Sequence, residues 1–146
     1  MRITSNNAAG SAKKMKINLC KLLKEALSSM EAKIGADAYI VAWYLGRCLG
    51  EKFAEKLKSE KTFNIGDALK TLPYLSKIRL FRFSLISSDE GIKIKASRAT
   101  NSMEEALAKG ILEGYFKTLL NCKVVAKKER TRSKSYAVFT LVLQHA

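Results

Sequence analysis

The sequence predicts a single, two-layer α+β domain, in which a four-stranded antiparallel sheet carries helices packed on one face. Two observations predict this class. Apolar residues recur every three or four positions in the first half of the chain, as in amphipathic helices, and alternate every second position in later segments, as in strands. The predicted order, ααα-ββ-α-ββ, suits an antiparallel sheet covered on one side. The length of 146 residues is that of one domain.

Three helices are predicted in the first half of the chain. Residues 1–12 are small and polar, and we interpret them as a flexible arm before a single domain at 13–146. Helical periodicity covers three segments, residues 14–34, 37–57 and 64–72. Gly35 is a natural end for the first helix. Pro73 is expected to end the third, because proline cannot continue a helix.

Two hairpins around a fourth helix are predicted in the second half. The strand segments are 77–87, 91–96, 122–129 and 135–144. In 91–96, isoleucines and lysines alternate, which predicts one buried and one solvent-facing side. Ser102 and Glu105 match a capping box that opens the fourth helix, and Asn121 can end it. The last segment is apolar on both faces except at Thr140, so we expect a central strand.

The chain lacks the usual groups of a catalytic, metal or cofactor site. Its one histidine, His145, is next to the C-terminal residue, and no phosphate-binding glycine motif is present. A zinc site needs about four closely spaced cysteine or histidine ligands. We interpret Glu113 and Glu129 as ion-pair partners. The sequence therefore predicts a protein that is not an enzyme, with no catalytic residues, no metal and no cofactor.

Three cysteines lie far apart, at positions 20, 48 and 122. Free cysteine is a common core residue, so we expect buried thiols in a reducing compartment.

No apolar run is long enough to be a transmembrane segment. The N-terminal residues lack the apolar stretch of a secretory signal. These features predict a cytoplasmic protein.

Net charge is the most unusual property of the composition. Lysine and arginine total 27 against 13 acidic residues, a net charge of +14. This excess favours an acidic partner, either nucleic acid, anionic lipid or an acidic protein. The candidate polyanion-binding residues are Lys93, Lys95, Lys123, Lys127, Lys128, Arg130, Arg132 and Lys134. Such arrays bind phosphates with release of counterions, but a charged sheet edge also prevents aggregation, and both interpretations stay open.

Glycine pairs, each one helical turn apart, occur in two of the predicted helices. Glycine costs a helix about 1 kcal/mol relative to alanine, so two pairs suggest close backbone contacts. The contact could be helix-on-sheet packing, a ligand pocket or a dimer seam. Candidate pocket or seam residues are Trp43, Gly46, Gly50, Phe53, Gly110, Gly114 and Tyr115. Trp43 and Tyr44 flank the main apolar stripe and could face a partner chain.

Four segments in this order resemble the 4-vinyl reductase domain and the related small subunits of the TRAPP vesicle-tethering complex. They are residues 44–50 (YLGRCLG), 108–114 (AKGILEG), 124–129 and 137–139. The resemblance covers roughly residues 39–143. It implies a two-layer α+β fold, a homodimer packed through the first two helices, and the binding of small apolar ligands or partner proteins.

The chain departs from this family where the family's cysteines would lie. Glu129 and Phe139 match the pattern, but the cysteine positions fall on Arg132 and Ala137, so thiol chemistry is not implied. The stretch near Thr62 also lacks the cysteine that can carry a fatty chain in TRAPP-type subunits.

The resulting hypothesis is a homodimeric, non-enzymatic binding or adaptor module. It would have an apolar ligand pocket or seam and a basic sheet surface for an acidic partner. The alternative is a nucleic-acid-binding protein that acts through the basic hairpin 123–134.

Overall fold

The computed structural model describes residues 17–58, 63–87, 91–131 and 134–144. The helices are α1 (Leu19–Ile34), α2 (Asp37–Lys58), α3 (Ile65–Lys70), α4 (Leu72–Leu75) and α5 (Ser102–Leu120). The strands are β1 (Arg82–Ser87), β2 (Ile92–Ser97), β3 (Lys123–Lys128) and β4 (Tyr136–Gln144). The predicted α+β fold is confirmed, while the predicted arm at 1–12 and His145 lie outside the described residues.

One antiparallel sheet holds all four strands in the order β1-β2-β4-β3. Strand β4 is central, as predicted, and joins the two hairpins by pairing with both β2 and β3. Ile94, Phe139 and Ala126 face the helices and are buried. The alternate residues of these strands, such as Lys93 and Lys127, face the open side. One face of the sheet is therefore core and the other is solvent-facing.

Helix α5 is the centre of the core, between the sheet and α2. Buried residues occur around its whole circumference, from Met103 to Leu119. In contrast, α2 buries only one stripe of small residues, Ala38, Ala42, Gly46, Gly50 and Ala54. Small side chains allow α2 to approach α5 closely, and the rest of α2 stays at the surface.

The connection from α3 to the sheet differs from the predicted one. Pro73 does not end a helix but lies in the first turn of α4, where its missing N–H is not needed. The predicted strand 77–87 is shorter, because Ser76–Ile78 form a 3₁₀ turn that ends at Arg79 in a left-handed conformation. The strand begins only at Arg82.

The cap of α5 lies one residue before the predicted position. The Asn101 side chain, rather than that of Ser102, accepts a hydrogen bond from the Glu104 backbone N–H at 2.9 Å. The Glu104 carboxylate in turn accepts from the Thr100 N–H at 3.1 Å. The arrangement resembles a capping box, except that the Glu104 side chain bonds to the residue before the N-cap. At the other end, Asn121 ends the helix in a left-handed conformation, as predicted.

The prediction of buried cysteines is wrong. Cys48 is exposed on α2, and Cys20 and Cys122 are only half-buried.

Within the described ranges, no group of three or more histidine, cysteine, aspartate or glutamate residues could hold a metal ion. None of the described helices is long and apolar enough to cross a membrane.

Candidate ligand-binding cleft

The four glycines form the contact between α2 and α5. A Cβ atom on Gly110 would lie 2.0 Å from the Trp43 carbonyl oxygen, and one on Gly46 would lie 2.2 Å from that of Leu107. Gly50 and Gly114 make equally close backbone contacts. Of the alternatives left open by the sequence, helix-on-sheet packing does not apply, since these glycines pack helix on helix within one chain. The contact leaves no space for a ligand between them.

A cleft lies beside this contact, where the first half of α2, the first half of α5 and the sheet meet. Its volume is about 410 Å³, within the usual range of small-molecule sites. The lining residues are Tyr39, Ile40, Trp43, Glu105, Ala106, Lys109, Lys128 and Phe139. Three separate elements thus contribute walls, and most of the lining is aromatic or aliphatic.

The charged residues of the cleft are paired with one another. Lys128 Nζ lies 2.6 Å from a Glu105 carboxylate oxygen, and Lys109 Nζ lies 2.8 Å from a Glu113 carboxylate oxygen. The Lys109 ammonium also lies 5.7 Å from the centre of the Trp43 ring. The cleft therefore combines an apolar surface with two compensated ion pairs.

Glu113 holds the walls of the cleft together. Its side chain is 4% exposed. The carboxylate accepts hydrogen bonds from the Trp43 indole N–H, from Lys109 Nζ and from the Ala126 backbone N–H at 2.9 Å. These donors belong to α2, α5 and β3. The predicted role of Glu113 as an ion-pair partner is confirmed, and the carboxylate also orients the indole ring that lines the cleft.

Of the predicted pocket residues, only Trp43 lines this cleft. The half-buried Phe53 packs against the buried Tyr115, with ring centres 6.2 Å apart. The Tyr115 hydroxyl is hydrogen-bonded to Thr71, and burial raises the pKa of Tyr115. Sequence reasoning missed Ala106, Lys109 and Phe139, because only the folded chain brings α5 and β4 together with α2.

The predicted polyanion-binding residues do not form one array. Lys93, Lys95, Lys123 and Lys127 lie on the open face of the sheet, as their strand register shows. Lys128 lies on the opposite face, in the cleft. Arg130 and Lys134 are exposed between β3 and β4, and Arg132 lies outside the described residues.

Some of the open-face lysines have partners. Lys93 Nζ lies 3.8 Å from a Glu129 carboxylate oxygen, so the predicted ion-pair role of Glu129 is confirmed. Lys95 Nζ lies 4.3 Å from the centre of the Tyr136 ring. The face is basic, but part of its charge is compensated locally.

Comparison with known proteins gives a similar fold but no family assignment. No family model and no curated protein matches the chain. Among solved structures, the chain is similar to the phenol-responsive sensory domain of the transcription activator PoxR, determined with phenol. The TM-score is 0.65 and the sequence identity 13%, over 87% of this chain and 76% of that chain. At this identity the similarity shows the fold alone.

Proposed function

We propose that this protein is a non-enzymatic binding module whose cleft takes a small, uncharged, apolar ligand, with an aromatic ring as the best fit. The observation that carries the proposal is the cleft of about 410 Å³ between α2, α5 and the sheet, with Trp43 and Phe139 in its walls. Mostly apolar concave sites with a few placed polar groups are typical of small-molecule binding. The solved domain with a similar fold responds to phenol, which supports an aromatic ligand.

The preference for an uncharged ligand follows from the ion pairs of the cleft. Lys128 and Lys109 are held by Glu105 and Glu113 at 2.6 and 2.8 Å. An anionic ligand would have to compete with a carboxylate for each ammonium group. Because removing a charge from water is costly without a new partner, a neutral ligand binds at lower cost.

Filling the cleft is expected to abolish this binding. Phenol and benzoate are suitable probes, since they share a ring and differ in charge, and calorimetry gives both affinities. We expect phenol to bind more tightly than benzoate. Ala106→Phe should weaken phenol binding by about tenfold or more, equivalent to about 1.4 kcal/mol, because the new ring occupies the cleft. Trp43, the one tryptophan of the chain, reports binding independently by fluorescence.

The matched control for this substitution is Ala32→Phe, which adds the same ring at an exposed position of α1. It should leave the affinity for phenol unchanged. Equal phenol affinity of parent and Ala106→Phe would contradict the assignment of the cleft, and tighter binding of benzoate would contradict the charge argument.

We further propose that the module is a homodimer that uses the exposed face of α2. Ile40, Val41 and Tyr44 are 64%, 47% and 62% exposed. Together with Leu45 and Cys48 they line an apolar surface groove. Contiguous exposed apolar surface often marks a protein interface. None of the described residues that line the groove is charged, so two copies can meet there despite the net charge of +14.

The dimer proposal predicts a change in mass for Tyr44→Glu. Sedimentation velocity should give a dimer for the parent and a monomer for this variant, because a carboxylate would be buried without a partner. Tyr74→Glu places the same change at an exposed tyrosine of α4, and it should remain dimeric. A monomeric parent would refute the proposal.

We propose that the open face of the sheet binds an acidic partner. Lys123 and Lys127 are exposed on this face.

The alternative, a nucleic-acid-binding protein that acts through the hairpin 123–134, has the weaker support. Lys128 of that hairpin lies on the other side of the sheet and pairs with Glu105. A hairpin-wide phosphate contact would need these cations on one surface.

A further inference from the structure

A second cleft lies near β1, the strand at the opposite side of the sheet from β3. It forms where the start of α1 meets the connection between α4 and β1, and its volume is about 670 Å³. The lining residues are Ile17, Asn18, Leu19, Cys20, Ser76, Arg79, Phe81, Arg82 and Arg98. This cleft shares no residue with the one assigned above.

Three arginines from different segments converge on this second cleft. Arg79 follows the 3₁₀ turn, Arg82 begins β1, and Arg98 follows the end of β2. Because Arg82 lies opposite Ser97 in the strand register, the neighbouring Arg98 is brought to the same end of the hairpin. None of the described residues that line the cleft carries a carboxylate.

The guanidinium groups of these arginines have no partner among the described side chains. Across the described part of the chain, none of the three makes a side-chain hydrogen bond or an ion pair. The nearby carboxylate of Glu104 is occupied by Thr100 at 2.6 Å and by Lys24 at 3.5 Å. Among the described residues, therefore, no carboxylate compensates the positive charge of the second cleft, unlike that of the first.

Two of the arginines lie on strained backbone. Arg79 has φ 65° and Arg98 has φ 72°. This left-handed region suits glycine, whereas a residue with a Cβ adopts it at a cost. Backbone strain of this kind is concentrated at functional sites. In this conformation Arg79 and Arg98 both line the cleft. A glycine, which has no side chain, would supply no guanidinium group there.

We propose that the second cleft binds the phosphate group of an amphipathic phosphate ester. A guanidinium group matches phosphate with two parallel hydrogen bonds. Three such groups suit a dianionic phosphate monoester better than a singly charged carboxylate. The apolar side chains at the cleft, the exposed Ile17 and Leu19, would contact the hydrocarbon part of the ligand. A free phosphate ester and the phosphate headgroup of a lipid share this chemistry.

A double variant separates binding from folding. In Arg79→Gly/Arg98→Gly, two guanidinium groups are lost, while glycine relieves the strain at both positions. Calorimetry with hexyl phosphate should show at least about a tenfold loss of affinity, since hydrogen bonds to charged groups are strong. The Tm should equal or exceed that of the parent. The loss of affinity would then have no explanation in unfolding.

The control variant is Lys127→Gln/Lys134→Gln, which removes the same charge from exposed positions away from the cleft. It should bind hexyl phosphate like the parent. If it loses as much affinity as the arginine variant, the attraction comes from net charge and the site is refuted. Unchanged affinity of the arginine variant for hexyl phosphate would also refute it.

Vesicles distinguish the two sources of the phosphate. Sedimentation is measured with phosphatidylcholine vesicles, with and without phosphatidic acid. Binding that requires phosphatidic acid and is lost in the arginine variant supports the site and identifies a lipid headgroup. Binding of hexyl phosphate without binding of these vesicles supports the site and identifies a soluble ester. If the parent binds neither hexyl phosphate nor vesicles that contain phosphatidic acid, the proposal is overturned.

Discussion

Gly110→Ala is expected to destabilise the protein by about 3 kcal/mol, at the upper end of the cost of overpacking a core. The added Cβ would lie 2.0 Å from the Trp43 carbonyl oxygen and 2.8 Å from the Arg47 backbone nitrogen. Both atoms belong to the backbone of α2, so no side chain can rotate away. The helices must separate, and this outweighs the gain of about 1 kcal/mol in helix propensity. Urea unfolding followed by circular dichroism measures the change.

Gly66→Ala is the control for the glycine prediction. Gly66 lies on α3, and an added Cβ would meet only the Asn64 side chain, at 3.3 Å. Its free energy of unfolding should stay within about 0.5 kcal/mol of the parent, as for ordinary surface substitutions. If both variants unfolded at the same urea concentration, the close contact of α2 with α5 would be wrong.

Glu113→Ala is expected to cost about 3 kcal/mol, because leaving a buried hydrogen-bonding group without its partner costs about 1–3 kcal/mol and Glu113 serves three donors. The variant leaves the Trp43 indole N–H, the Lys109 ammonium and the Ala126 N–H without their acceptor. Thermal and urea unfolding measure the loss of stability. Trp43 fluorescence should change as well, because the indole ring loses the group that orients it.

Two further variants test the cause of this loss. Glu113→Gln retains a hydrogen-bond acceptor of similar size without the charge, so its stability should lie between those of parent and Glu113→Ala. Glu55→Ala breaks an ion pair with Lys52 that is exposed on both sides, and it should cost less than about 1 kcal/mol. A cost for Glu113→Ala as small as that for Glu55→Ala would show that the buried carboxylate does not join the elements.

Local patterns predicted most of the elements. Alternation of Ile92 and Ile94 with Lys93 and Lys95 identified β2 and its solvent-facing side, because a strand places successive residues on opposite faces. The spacing of apolar residues every three or four positions identified α1, α2 and α5 equally directly. Prediction failed at Pro73, which lies in the first turn of a helix and does not end one. It also failed in the segment 77–87, where Arg79 is left-handed. Both features depend on the neighbouring chain.

The candidate sites were less predictable than the fold. The sequence indicated that paired glycines mark a close contact, but not that Gly46 and Gly110 contact the opposite helix rather than the sheet. It identified Trp43 as a candidate, yet Ala106 and Phe139 carry no local signal of a cleft. The sequence likewise carries no signal that Arg79 lies near Arg98, because nineteen positions separate them and only the folded hairpin brings them together.

The sequence by itself determined the fold class, the order of the strands and the long helices, and the basic character. These properties depend on composition and on spacing within one element. The tertiary structure alone decided which cations are neutralised and which are free. Lys128 turns toward Glu105, whereas Arg98 meets no carboxylate in the part of the chain that the structure describes. Charge compensation depends on distances between elements, and only packing sets those distances.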